Sequence, residues 1–223
     1  MSARLGALLL LLCPGISPAS AASATYRLDP VHTRVLFAVE HAGFSHALGT
    51  VSGSTGQLQF DPDDWSTARL EASVPLQRLD LGDEKWNQAV RAGNLLDTTQ
   101  FPIAIFVSTR IEPIDPTHAS VYGNLSLHGV SKEVKLDVTL NALKRHPLPP
   151  FRRTVGFSAT ATLSRAEFGI DAWKSVIGDR VELRLEVEAT RTRKDDADEA
   201  ADSDDNESEP IPSTKPSTEP TTP

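Results

Sequence analysis

Four histidines, His32, His41, His46 and His128, are of a type that could bind a metal or move a proton, but their spacing does not bring them together. In a regular strand, residues nine apart point to opposite faces, so His32 and His41 cannot ligate one ion without a bulge. The chain has neither an H-x-H nor an HExxH pattern, and its single cysteine, Cys13, lies in the apolar start. Serines are plentiful, yet none sits in a G-x-S-x-G elbow, and no pair of carboxylates has a spacing that fixes both on one surface. No set of groups converges on a reaction. The sequence therefore predicts no enzyme, no metal and no cofactor, and points to binding.

The elements that would carry a binding surface are strands. From Tyr26 to Ser45 the chain has the period of a half-buried strand, with Val31, Thr33, Val35, Phe37, Val39 and His41 on one face. His32, Arg34, Leu36, Ala38 and Glu40 fall on the other. The alternation is cleanest at Val181, Leu183, Leu185, Val187 and Ala189, which interleave with Glu182, Arg184, Glu186 and Glu188. It recurs at Val134–Leu140, Val155–Leu163, Val121–Leu127 and Leu70–Val74, and a Gly-rich run near Thr50 to Phe60 ends on Leu58 and Phe60. Between Phe101 and Ile111 the period is ambiguous, since Ile103, Ile105 and Val107 compete with Ala104, Phe106 and Ser108 for the inside.

About eight strands suffice for a closed antiparallel barrel, which removes exposed sheet edges, and at that size the interior either fills with side chains or holds one ligand. The fold class is thus all-β, an eight-stranded antiparallel barrel with a short helix in a long connection. Asp83 to Asp97 reads as that helix, with Trp86, Ala89, Val90 and Gly93 on one side. A second apolar connection, Ser164 to Asp179, carries Phe168, Ile170, Trp173, Val176 and Ile177. Such connections could cap a barrel mouth.

Residues 1–24 have the parts of a secretory signal: Arg4, an apolar run from Leu5 to Cys13, and two competing cleavage motifs, Ala19-Ser20-Ala21 and Ala22-Ser23-Ala24. The run is too short to span a bilayer, which takes about 20 residues, so a soluble periplasmic or secreted protein with no integral membrane segment is expected after cleavage. A domain over residues 25–193 follows, then an acidic Ser/Thr/Pro tail over 194–223 whose composition predicts disorder. The formal charge of −8 belongs to that tail, which holds 10 of the 30 acids and 2 of the 22 basic side chains. The remainder balances at 20 of each sign, and Lys144-Arg145 and Arg152-Arg153 are only small clusters, so nucleic acid is not an expected partner. The sequence carries no signal for an oligomeric state.

From Tyr26 to Ala189 the chain resembles the YceI-like family of secreted, lipocalin-like polyisoprenoid-binding proteins. The resemblance rests on Asp29-Pro-Val-His32, Phe37-Ala-Val-Glu-His41 with Phe44, and Phe101-Pro102 followed by Phe106 and Ser108. It continues in Gly123-Asn-Leu-Ser-Leu-His128-Gly129-Val130 and in Arg165-Ala-Glu-Phe168-Gly169-Ile170. The resemblance implies a lipocalin-like barrel around an apolar channel that holds an isoprenoid chain, such as a quinone tail or a polyprenyl lipid, in the cell envelope.

A long hydrocarbon binds through buried area and needs few directional contacts. The expected lining is Val35, Phe37, Val39, Leu125, Leu127 and Phe157 from the strands, with Phe44, Trp86, Phe168 and Trp173 from the connections. His41 continues the inward face, where its imidazole could hydrogen-bond a quinone carbonyl or a pyrophosphate head; a buried histidine tied to a backbone carbonyl fits the same position. His128 reads as a turn residue, Trp65 as a packing plug, and Arg165 and Asp171 as pins for the Phe168-Gly169 connection. The family's helical connection usually has a histidine followed by leucine and then an aromatic pair, where this chain has Ala89, Val90, Leu95 and Leu96. Rival readings are a structural or interaction module of the envelope and an enzyme acting on a lipid-like substrate.

Overall fold

The computed structural model describes residues 23–192, so almost all of the expected leader and the whole acidic tail lie outside the described residues. The strands are β1 (Ala24–Leu28), β2 (Arg34–His41), β3 (Ser45–Ser52), β4 (Thr55–Phe60), β5 (Arg69–Pro75) and β6 (Leu79–Asp80). After helix α1 (Glu84–Arg91) come β7 (Ile103–Pro113), β8 (His118–Leu127), β9 (Val130–Arg145), β10 (Arg153–Ser164) and β11 (Ile177–Arg191). All pairings are antiparallel, and β1 closes the sheet by pairing with β4 on one side and β11 on the other.

The strands make eight staves because three staves are broken. β1 and β2 lie in succession along β11, with Leu28 opposite Ala189 and Arg34 opposite Glu186. β4 and β3 lie along that stave in turn, and β5 and β6 along the next. Closure satisfies the backbone groups that an edge would expose.

The alternation predicts one continuous strand through Tyr26 and His41; the structure breaks it at 29–33. Pro30 has no N–H to give a ladder, and the Asp29 carboxylate accepts the backbone N–H groups of Val31 at 2.8 Å and His32 at 3.3 Å, closing a turn. Val31 therefore leaves the inward face and is exposed, whereas Thr33 is buried with its hydroxyl on the Glu188 carbonyl. The His32 ring nitrogen meets the other Asp29 oxygen at 2.7 Å. That hydrogen bond, then the carboxylate's charge, raises the His32 pKa above its ordinary 6.5. Partial burial works to raise the Asp29 pKa, but the bonds from His32 and the two backbone N–H groups outweigh it and hold it below 3.8.

In β7 the ambiguity resolves toward Ala104, Phe106 and Ser108, which are buried, and Ile103, Ile105 and Val107 face outward. The Ser108 hydroxyl accepts the Leu70 N–H at 2.8 Å, and the Phe106 ring lies over Gly123, where a β-carbon would sit 2.4 Å from it. The predicted helix over 83–97 is shorter. Asp83 caps its start by accepting from Lys85 and Trp86, and after Arg91 the chain turns, with Leu95 donating to the Ala92 carbonyl and Asp97 in the left-handed region.

Candidate functional site

The inward side chains of the staves enclose a cavity of about 460 Å³, within the range of roughly 300–1,000 Å³ common for ligand sites. Val35, Phe37 and Val39 of β2 form one wall, and across the ladder Leu185, Leu183 and Val181 of β11 extend it. These residues are only half-buried, because the surface they present is the channel wall. Phe37 does not block the lumen: its ring folds over Gly49, its partner on β3, so closely that a β-carbon there would lie 2.3 Å from it. Leu125 and Leu127 line the wall from β8, together with Phe106 of β7.

One end of the channel is packed shut. Phe60, Trp65 and Phe157 meet edge to face there, with ring centroids 5.1, 5.4 and 6.0 Å apart in near-perpendicular pairs. Asp64 caps the short 3₁₀ turn that carries Trp65 inward. Tyr26, Val155 and Ala189 fill the space around this floor and are almost wholly buried. Trp65 is thus both plug and channel floor.

At the other end the lining reaches solvent. Trp86 and Ala89 of α1 border the cavity and are exposed, and the Trp86 ring rests against His41 with centroids 5.3 Å apart. Val90, Leu95 and Leu96 continue this border inward, so the positions that depart from the family pattern shape the mouth. Opposite them Phe168 is buried and lines the channel. Its segment is fixed by Arg165, whose guanidinium donates to the carbonyls of Ile170, Ile177 and Gly178 at 2.7–2.9 Å. His128, in the β8–β9 turn with φ +53, donates through Nδ1 to the Phe168 carbonyl at 3.1 Å. Asp171 does not share in that support; it pairs with Lys174 on the surface at 2.9 Å.

Of the residues expected to line the channel, Val35, Phe37, Val39, His41, Trp86, Leu125, Leu127, Phe157 and Phe168 border the cavity. Phe44 and Trp173 do not, and this corrects the expectation drawn from the apolar connections. Phe44 is 92% exposed at the tip of the β2–β3 hairpin, and Trp173 is 60% exposed in the β10–β11 connection. Both lie in turns with positive φ, at Ala42, Gly43 and Trp173 itself, and a turn escapes the alternation that aims strand residues inward.

Lining residues outside the expected set include the β11 wall, Phe106, Leu163 and the Trp65 floor. For the β11 residues the signal was the strand alternation already present at Val181–Val187. Of the polar side chains bordering the cavity, Arg165 is spent on three carbonyls and Thr33 on the Glu188 carbonyl, Ser54 is buried, and Glu40 and His41 stand beside the mouth. Among the described residues no three His, Cys, Asp or Glu side chains could hold a metal, and no helix is long and apolar enough to cross a membrane.

A family model for the YceI-like domain matches residues 26–189. A UPF0312 protein of Shewanella baltica is 28% identical over 193 residues, covering 86% of this chain and 97% of that protein. Two solved structures share the fold. Burkholderia cenocepacia BcnA superposes with a TM-score of 0.64 at 22% identity, covering 72% of this chain and 98% of its own. A polyisoprenoid binding domain from Saccharophagus degradans, implicated in plant cell wall breakdown, superposes with a TM-score of 0.58 at 14% identity, covering 77% and 100%.

Proposed function

This chain belongs to the YceI-like family, and from that premise we propose that its barrel binds and carries a long-chain isoprenoid-type lipid, without a covalent step, in the periplasm or outside the cell. The observation that carries the reading is the apolar channel, closed by the Phe60–Trp65–Phe157 floor and open beside Trp86 and His41. At roughly 25 cal/mol per Å² of apolar surface removed from water, such a wall favours a hydrocarbon chain and gives a polar solute little to bond. A lipid lying along the channel would place its polar head at the mouth, where Glu40 and His41 are the nearby polar side chains. The polyisoprenoid-binding neighbour in Saccharophagus degradans supports the same ligand class. The basic, apolar and small-residue blocks of residues 1–24 support export.

Native mass spectrometry with lipid extraction of protein purified from a bacterial envelope tests the reading. A prenyl lipid retained at one per barrel is the expected result. A protein that takes up no polyprenol or prenylquinone offered in detergent would overturn it. Fractionation of cells expressing the full chain should place the mature form outside the cytoplasm, shortened at its N-terminus.

A further inference from the structure

The two aromatic residues that turn away from the channel stand beside its mouth. Ile177 pairs with His41, and the Ala42 N–H donates to the Val176 carbonyl at 2.6 Å, so the hairpin bearing Phe44 and the loop bearing Trp173 are joined through their backbones. Each turn is closed locally as well. Phe44 donates its N–H to the His41 carbonyl at 3.1 Å, and the Trp173 carbonyl accepts from Val176 and Ile177 at 2.8 Å. Trp173 holds φ +58, a left-handed conformation that a β-carbon disfavours. The fold thus fixes two large aromatics outward at the edge of an apolar channel, where inward packing would have hidden them.

From this arrangement, and resting on the lipid-carrier reading, we infer that Phe44 and Trp173 are a membrane-docking rim that sets the channel mouth against a lipid bilayer. A long prenyl chain has negligible aqueous solubility, so its path into the channel runs from a bilayer through whatever rim borders the mouth. Exposed Trp and Phe beside that mouth suit the bilayer interface, where an aromatic ring buries its apolar body at headgroup level. The charges around the mouth show no basic excess: Lys174 is paired with Asp171, Lys85 follows Asp83 and Glu84 at the start of α1, and Glu40 borders the channel. The rim therefore engages an uncharged bilayer surface by apolar insertion and does not depend on anionic lipid.

Co-sedimentation with phosphatidylcholine–phosphatidylethanolamine vesicles, with and without added phosphatidylglycerol, tests the rim separately from the channel. The wild-type chain should pellet with both vesicle types. Phe44→Ser combined with Trp173→Ser should lower vesicle affinity by about tenfold or more, in keeping with the loss of two inserted aromatics. The same variant should take up prenyl lipid from detergent micelles as the wild type does, yet acquire it more slowly from vesicles. Wild-type protein that binds lipid in micelles but stays in the supernatant would overturn the rim and leave the carrier reading standing, as expected if a protein partner covers these aromatics. Unchanged vesicle binding in the double variant would also overturn it. Vesicle binding that requires phosphatidylglycerol would overturn apolar insertion as its basis. Failure of the wild type to take up lipid from micelles would instead strike the carrier reading.

Discussion

The two ends of the barrel are built on the same staves and solve opposite problems. At the floor, Phe60, Trp65 and Phe157 turn inward and interlock, with Tyr26, Val155 and Ala189 behind them. At the mouth, α1 and the turns around Phe44 and Trp173 leave Ala89 and Trp86 open to solvent. The difference teaches that the strands supply the channel wall, while the connections decide which end is shut.

The largest contrast should appear on truncating one aromatic at each end. Phe157→Ala removes a ring packed on two others and should cost about 3–5 kcal/mol of stability, measured by denaturant titration. Trp86→Ala, at an exposed position, should cost below about 1 kcal/mol while weakening lipid retention. Equal losses of stability would erase the distinction between floor and mouth.

A smaller effect should sharpen the role of the wall between them. Gly49→Ala places a β-carbon where the Phe37 ring lies, and the channel beside that ring gives it room to swing inward. Stability should fall by about 1 kcal/mol, the low end for overpacking, whereas affinity for a long prenyl chain should fall about tenfold. A loss of stability with unchanged lipid affinity would show that the ring moved elsewhere.

The smallest expected effect belongs to the kink between β1 and β2. His32 has a raised pKa in the folded state, so its contribution is full below 6.5 and fades as pH rises through the folded value. Asp29 has a lowered one, so its contribution is present above 3.8 and is lost as pH falls through its folded value. Stability attributable to the pair should therefore be greatest between these two ordinary values. The pair is partly exposed, so its worth should stay below about 1 kcal/mol. A pH series of unfolding midpoints on the wild type and His32→Ala checks this; identical profiles would show that the pair contributes nothing.

Much of the wall is legible in the sequence alone, because a strand with one face to the interior writes that fact at every second residue. Val35, Phe37, Val39, Leu125 and Leu127 follow from that rule, and all border the cavity. Trp86 and Phe168 lie in connections yet also reach it, since α1 and the Arg165-anchored turn fold back over the barrel end. Phe44 and Trp173 failed the same expectation. Their direction is set by positive-φ turns and by one backbone hydrogen bond between segments distant in sequence, which composition does not record. The break at 29–33 was masked for a related reason, as Val31 and Thr33 continue the alternation through a turn made by Asp29 and Pro30.

By itself the sequence determined the period of each strand, the apolar character of the faces that would meet, and the family to which the chain belongs, since these are local or additive properties of side chains. The tertiary structure decided closure, which end of the channel is shut, and which aromatics point outward. Those outcomes depend on pairings such as β1 with β11, between the two ends of the described chain, and on the shape left when eight staves meet; no short stretch of sequence contains either.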